Sequence, residues 1–290
     1  MNKDVVMITS FNRPEFVQLN LEHLATNTGF RELHYVFAQD RGSAREHEVR
    51  RVIGNFVERY GVSYDIVTPT KEAAHASIMK QSYNLYNGYK HCTEITDGLI
   101  YMVEDDVLVA DRFIEWGRRI HTACNPFAAI GTRNNNRRVP KTSYVDYYLL
   151  DSYQSLGVVW QKASLVALLA TFTPAYWQDP FNYCKRMYRD SPIGQGFVEQ
   201  DGLIHRYIKA HKKQVAFSTM GFAFHAGFYG KSRGKRVTGT VGQKVDKLRA
   251  IVYNTDQMRN NAANEAMFLD SMPVPLEITN WDGGLREIII

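Results

Sequence analysis

The run Leu99-Ile-Tyr-Met-Val103 is apolar at nearly every position, and Glu104-Asp105-Asp106 follows it at once. A strand that is apolar on both faces suits the middle of a sheet covered by helices on either side. The segments before it keep the matching rhythm. Val5–Thr9, Leu33–Ala38 and Tyr64–Val67 read as short strands. A helix that begins with Pro14 in its first turn carries Phe16, Leu19, Leu21 and Leu24 as an apolar stripe. A second, over Ser43–Tyr60, carries Val49, Val52, Ile53, Phe56 and Val57, and a third is predicted over His75–Cys92. Strands alternating with crossover helices predict an α/β fold with a doubly wound, mostly parallel sheet flanked by helices. Ligands of such sheets sit beyond the carboxyl ends of the strands, where the acidic triplet falls.

The second half is less regular. Helices are predicted over Asp111–His121, Ala163–Phe172 and Gly202–His211, and strands over Pro126–Gly131 and Tyr153–Trp160. Arg133–Lys141 reads as a basic loop, the aromatic stretch through Tyr176, Trp177, Phe181 and Tyr183 as a loop, and Val215–His225 as extended chain. Gly227–Gly242 holds five glycines among basic residues, the composition of a lid. There is no repeat and no Pro/Ser-rich linker. One domain over 1–290 is expected, with a binding half, 1–131, and an irregular half, 132–290.

Charge divides the chain differently. Gly202–Arg249 contains eleven Lys/Arg and one acid, Asp246, a local net of +10 within a chain of +5, so the remainder is net negative. That asymmetry points to a phosphate-bearing partner. Three widely spaced cysteines, Cys92, Cys124 and Cys184, suggest neither a disulfide framework nor a zinc site. The apolar run Val5–Ile8 is too short for a signal peptide, and Ala163–Phe172 is about half of the ~20 residues that span a bilayer. The expectation is a cytoplasmic protein without a membrane partner.

Glu104-Asp105-Asp106 is the strongest chemical signal. Adjacent carboxylates repel, and a divalent cation or a polyol relieves the repulsion; Mg²⁺ and Mn²⁺ favour one or two carboxylates together with phosphate oxygens. The bland alternative is a solvated turn in which Asp111 caps the next helix.

Six ordered landmarks resemble the GT-A fold glycosyltransferases, which use nucleotide-diphosphate sugars, and within them the N-acetylglucosaminyltransferase I group. They are Thr9-Ser-Phe-Asn-Arg13, Phe37-Ala-Gln-Asp40, Val103-Glu-Asp-Asp-Val107 with Ala110-Asp-Arg-Phe113, Ser155-Leu-Gly-Val-Val-Trp160, Ser218-Thr-Met220 and His225-Ala-Gly227. The resemblance implies a GT-A (Rossmann-like) fold, a UDP-sugar donor and transfer of a hexose, with inversion, to an acceptor hydroxyl. It implies that Asp106, with His225 as a further candidate, holds Mn²⁺ or Mg²⁺. Asp105 would take ribose or sugar hydroxyls and Glu104 the donor sugar. Asp40 would face the uracil, and Thr9 and Arg13 would contact the nucleotide. Lys231 and Arg233 would close over the diphosphate as part of the basic lid. For the general base the resemblance offers Asp201, with Glu199 and Asp179 as competitors; Asp201 could instead simply cap the helix that follows. For His225 the bland alternative is a satisfied turn residue.

The acceptor stays open between a glycan or protein and DNA. Eleven cations could follow a phosphate backbone while Tyr176, Trp177, Phe228 and Tyr229 stack on a hydroxymethylated base. Two other classes compete. A sugar nucleotidyltransferase would also place acids and a metal on such a sheet, although Ser10–Glu15 has no glycine-rich phosphate loop. A non-catalytic nucleic-acid-binding protein would use the basic third and leave the triplet unexplained.

Overall fold

The apolar runs of the first half become the middle of one sheet in the computed structural model, which describes residues 3–69, 79–132, 147–189, 198–219, 221–227, 238–254 and 284–289. Strands β1 (Val5–Ser10), β2 (His34–Gln39), β3 (Ser63–Thr68) and β4 (Leu99–Glu104) alternate with helices α1 (Pro14–Leu24), α2 (Glu46–Tyr60) and α3 (Lys80–Ile95). After β4 come β5 (Val107–Val109), α4 (Phe113–Cys124), β6 (Ala128–Ile130), β7 (Tyr147–Leu150), β8 (Val158–Gln161) and α5 (Lys162–Leu169). The chain continues through α6 (Pro174–Gln178), α7 (Pro180–Met187), α8 (Gln200–Ala210), β9 (Val215–Ser218), β10 (Ala223–His225), α9 (Val241–Asn254) and β11 (Glu287–Ile289).

Among the described residues the main sheet has nine strands in the order β11-β3-β2-β1-β4-β8-β6-β9-β7. From β11 to β4 all neighbours are parallel, whereas β8 runs against both β4 and β6, and β7 against β9. The expected α/β class, a mostly parallel sheet flanked by helices, is the class observed. Chain order reverses at β1, which pairs with β2 on one side and β4 on the other. A crevice opens at the carboxyl ends of strands at such a reversal.

Period-two side-chain alternation builds a core on each face. Val6 and Ile8 of β1 join Tyr35, Phe37, Phe56 and Trp116 in the layer under α1, α2 and α4. Val5 and Met7 join Val36, Ala38, Tyr89 and Trp160 in the layer under α3, α5 and α8. Two glycines let helices approach closely. A Cβ on Gly88 of α3 would lie 2.8 Å from Ala38 Cβ. One on Gly117 of α4 would lie 2.7 Å from Tyr101 Cε1 and 3.1 Å from Val159 Cγ2.

The structure shifts several expected elements. The third helix extends past Cys92 to Ile95, and its expected start at His75 lies outside the described residues. The helix expected from Asp111 starts at Phe113, with Arg112 at its N-cap, so Asp111 is not the cap. The aromatic stretch expected as loop is two short helices: Pro174 and Pro180 each sit in a first turn, and the Thr173 and Asp179 side chains cap them. The extended run Val215–His225 divides between β9 and β10, which belong to different sheets. Helix α9 and edge strand β11 lack a strong sequence signal; β11 is held by Glu287, which accepts from Arg41, Arg50 and Thr68. No helix among the described residues is long and apolar enough to cross a membrane.

Gly117→Ala should destabilise the fold by about 1–3 kcal/mol, because the Tyr101 ring and a β-branched Val159 cannot move aside cheaply. The check is a lowered urea midpoint with an unchanged slope.

Candidate active site

The carboxyl ends of β1, β2 and β4 bring three sequence-distant turns to one edge. In register, Thr9 lies opposite both Ala38 and Glu104, and Asp40 N–H donates to Ser10 O at 2.9 Å. Strand β8 runs the other way, so Ser155, just before it, extends beyond the same end of β4. Residue Ser218 closes β9 at this edge too, since β9 runs parallel to β6. Every landmark of the resemblance with described residues therefore reaches one side of the sheet; Met220 lies outside the described residues.

The acidic triplet sits in a turn that α1 holds from behind. Asn20, fully buried, donates from Nδ2 to Glu104 O at 3.0 Å and to Val107 O at 2.6 Å, bracketing the turn. One helical turn on, the His23 ring meets Val109 O at 3.2 Å. Burial lowers the His23 pKa to about 4, so the ring is neutral and Nδ1–H is the donor. The two-stranded sheet of β5 and β10 pairs Val107 with His225, and Ala226 N–H donates to Asp106 O at 2.7 Å. That pairing brings His225 Nε2 to 3.4 Å from Asp106 Oδ2.

Arg13 is the counter-charge. Its guanidinium forks onto Asp105, donating from Nη2 to Oδ1 and from Nε to Oδ2 at 3.2 Å, and reaches Asp106 Oδ2 at 2.7 Å from Nη1. Burial works against its charge, but the two aspartates outweigh it and hold Arg13 protonated. Burial pushes the Asp105 carboxyl up to about 6 despite Arg13. Asp106 ends below the ordinary carboxylate range: burial raises it, and the His225 hydrogen bond and the Arg13 charge more than offset that. Glu104 is raised well above its ordinary value by burial and then by the charges of Asp201, Asp106 and Asp105.

Asp40, Lys80 and Phe11 meet at the next strand end. Asp40, buried, lies 3.3 Å from Lys80 Nζ, which also donates to Arg41 O at 2.8 Å. Burial raises Asp40 and Lys80 pulls it back only partly. Phe11 is 37% exposed, with Lys80 Nζ 5.3 Å from its ring centroid. Asn20, Phe11 and Lys80 are not among the sequence candidates. A buried Asn inside an apolar stripe and a Phe in a polar turn were the available signals; Lys80 offered none.

Asp201 stands in the first turn of α8, where Glu199 holds the N-cap position without a side-chain cap bond. It is thus not the cap. Ser155 Oγ donates to Asp201 Oδ2 at 2.9 Å, while Oδ1 is buried without a partner. Burial raises the Asp201 pKa from 3.8 to about 6, the Ser155 bond opposing and Glu199 adding. Asp179, by contrast, spends both oxygens on Asn182, at 3.0 Å to its N–H and 2.6 Å to Nδ2, which holds it below its ordinary value. A carboxylate occupied in this way is a poor base. Lys231 and Arg233 lie outside the described residues.

A divalent cation fits this edge only as a two-donor ligand set completed by phosphate. Among the described residues no group of three or more His, Cys, Asp or Glu is spaced to hold one. Asp106 Oδ1 is nevertheless buried without a partner. A Cβ on Gly227 would fall 2.5 Å from His225 Nε2 and 2.6 Å from Asp106 Oδ2, so glycine keeps the space between those donors clear. Hard cations that bind with phosphates need no more than one or two protein ligands.

Among the described residues, the cations of the basic third point to different parts of the molecule. Arg206 is buried, Arg249 pairs with buried Glu22, and Lys209 pairs with Asp151. Lys212 and Lys213 follow the far end of α8, ~16 Å of helix from its start.

No protein-family model matches the sequence. No curated protein matches it either. Among solved structures the chain is similar to S. aureus TarS 1-349 in complex with UDP-GlcNAc, at 10% identity over 93% of this chain and 72% of that one, with a TM-score of 0.48. It is similar to the glycosyltransferase GlyE of Streptococcus pneumoniae TIGR4 at 7% identity, over 96% and 66%, with a TM-score of 0.48. It is similar to the galactosyltransferase LgtC in complex with donor and acceptor sugar analogs at 12% identity, over 73% and 72%, with a TM-score of 0.44. A longer S. aureus TarS chain is matched over 40% of its length.

Asp201 makes stability pH-dependent in a defined direction. Its folded pKa lies above the unfolded one, so burial costs nothing below about pH 4 and progressively more as pH rises through about 6. Asp201→Asn should raise the melting temperature at pH 7.5, by a stability gain on the order of 1–3 kcal/mol, and leave it nearly unchanged at pH 4. Calorimetry at the two pH values checks this.

Proposed function

We propose that the chain is a GT-A-type glycosyltransferase that moves a sugar, with inversion, from a UDP-sugar to an acceptor hydroxyl. The observation that carries this reading is the Asp201 carboxylate: half-buried, raised to about 6 and with a buried, unpartnered Oδ1, it faces the same sheet edge as the clasped acidic triplet. A base tuned near neutrality beside a cluster able to meet a diphosphate is what such a transfer needs. The kinship with the N-acetylglucosaminyltransferase I group stands on the sequence landmarks.

In this reading Phe11 stacks on the uracil while Asp40 accepts its N–H, and Lys80 keeps Asp40 in place. Asp105 accepts from the ribose or sugar hydroxyls, and Glu104 meets the donor sugar. A Mn²⁺ or Mg²⁺ ion held by Asp106 and His225 supplies, when bound, positive charge against the diphosphate. Asp201 Oδ1 takes the proton of the acceptor hydroxyl, and Ser155 holds Oδ2 so that Oδ1 is presented. The hydroxyl oxygen bonds to sugar C1 as the C1–O bond to UDP breaks, and the electron pair leaves with UDP. Arg13 holds a fixed positive charge at the edge where that negative charge develops. Glu199, at the N-cap, keeps the charge around Asp201 negative and its pKa up. In this reading the acceptor is a glycan or glycoprotein hydroxyl; of the described cations of the basic third, Arg206 is buried and Lys209 and Arg249 are paired with carboxylates.

A nucleotide-sugar panel with Mn²⁺, scored for thermal stabilisation and slow donor hydrolysis, tests the reading; stabilisation by no uridine nucleotide would overturn it. Phe11→Ala should weaken UDP binding by ~1–3 kcal/mol, read by titration calorimetry. Asp201→Asn should bind UDP as the parent does and hydrolyse the donor about 100-fold more slowly or worse. Unchanged hydrolysis would move the base to Glu199.

A further inference from the structure

We propose that the aromatic surface made by Tyr83, Tyr86 and Trp177 is the acceptor subsite and that it takes the ring of an uncharged saccharide. The inference rests on the glycosyltransferase reading above and names the acceptor class for it. Trp177, on α6, lies 5.2 Å from the Tyr83 ring and 5.5 Å from the Tyr86 ring, at interplanar angles of 78° and 67°. Phe172 and Tyr176, both buried, back the platform at 5.6 Å and 4.9 Å from Trp177. Trp177, Tyr83 and Tyr86 are only half-buried, unlike the rings beneath them. Three adjoining aromatic rings left partly open to water carry a hydrophobic cost that a ligand would remove.

Two struts tie this platform to the base. Ser82, next to Tyr83, donates from Oγ to Gln200 Oε1 and accepts from Gln200 N–H at 3.3 Å, and Gln200 directly precedes Asp201. From the other side, Tyr176 OH donates to Val198 O at 2.8 Å, three residues before Asp201. The start of α8 is thus fixed to α3 and α6 together, and the Tyr176 phenol senses the charges of both Glu199 and Asp201. A ring lying on the platform would lie beside the carboxylate that deprotonates its hydroxyl.

Chemistry favours a neutral sugar. The apolar face of a pyranose presents C–H groups that suit the negative face of an aromatic ring. Asp179 follows Trp177 by two residues, and the charges of Glu199 and Asp201 act on Tyr176 behind the platform; carboxylates so placed oppose a phosphate chain.

The test uses saturation-transfer NMR on the intact protein with lactose, cellobiose, maltose and chitobiose as probes. UDP calorimetry and anisotropy of a labelled single-stranded dodecanucleotide run in parallel. At least one disaccharide should receive saturation at its ring C–H protons. Trp177→Ala and Tyr83→Ala should each weaken it about fivefold or more, and Trp177→Phe less than about threefold, with UDP binding unchanged. Should the alanine variants unfold, Trp177→Phe and Tyr83→Leu carry the comparison: a fall in saccharide affinity for Tyr83→Leu with UDP affinity intact supports the platform. Failure of every disaccharide to bind a wild-type protein that binds UDP would overturn it. Equal binding by the alanine variants, or oligonucleotide binding that displaces the sugar, would overturn it as well. Disaccharide binding by a protein that neither binds UDP nor hydrolyses UDP-sugars would uphold the saccharide site and overturn the transferase reading.

Discussion

Three consecutive carboxyl groups at the end of a buried strand cannot all carry charge without nearby compensation. Two unit charges ~4 Å apart repel by about 4 kcal/mol at the effective dielectric of a protein surface, and burial makes the cost larger. Here each carboxyl meets that constraint differently. Asp106 is kept ionised by Arg13 and His225, Asp105 is held in the Arg13 fork with its pKa near neutrality, and Glu104 is driven towards its neutral form. The compensating groups come from the turn after β1 and from the end of β10. The edge can therefore form only when the whole sheet and the small β5–β10 pair are in place.

Positioning follows from rigid elements rather than from loops. Asn20 brackets the acidic turn from α1, neutral His23 pins the strand that continues it, and Ser155 aligns Asp201 across 46 residues of sequence. Side chains locked by packing and by hydrogen bonds from behind hold a site to the tolerance that chemistry requires. The two halves of the edge are linked electrostatically, since Asp201 is the largest charged contributor to the raised pKa of Glu104. Glu104 and Asp201 therefore do not titrate independently, and a charge brought to one is felt at the other.

Among the described residues, sequence clustering and spatial clustering part company in the basic third. Gly202–Arg249 gathers eleven cations along the chain. A helix turns successive residues through 100°, and its two ends serve different parts of the molecule. Of the described cations, Arg206 goes into the interior, Arg249 crosses to Glu22, and Lys212 and Lys213 follow the end of α8 remote from Asp201. Net charge over a window reports composition, whereas a binding surface depends on which way each side chain leaves its element.

Local pattern was enough for the layered α/β fold, the position of the central strand and the location of the acidic triplet at its carboxyl end. Those depend on period-two and period-3.6 burial, which is written residue by residue. The family resemblance singled out Arg13 and Asp40 beside Glu104, Asp105 and Asp106, and the structure brings these five residues to one sheet edge. What the chain alone left open was choice among equals. Asp179, Glu199 and Asp201 are all carboxylates near aromatic or helical sequence. Only tertiary contacts separate a side chain consumed in capping Asn182 from one bonded to Ser155 with an oxygen to spare. Phe11, Asn20 and Lys80 were not singled out for a related reason: each matters through a residue at least 39 positions away. Short-range patterning specifies which surfaces are buried, and long-range packing specifies which polar groups then meet.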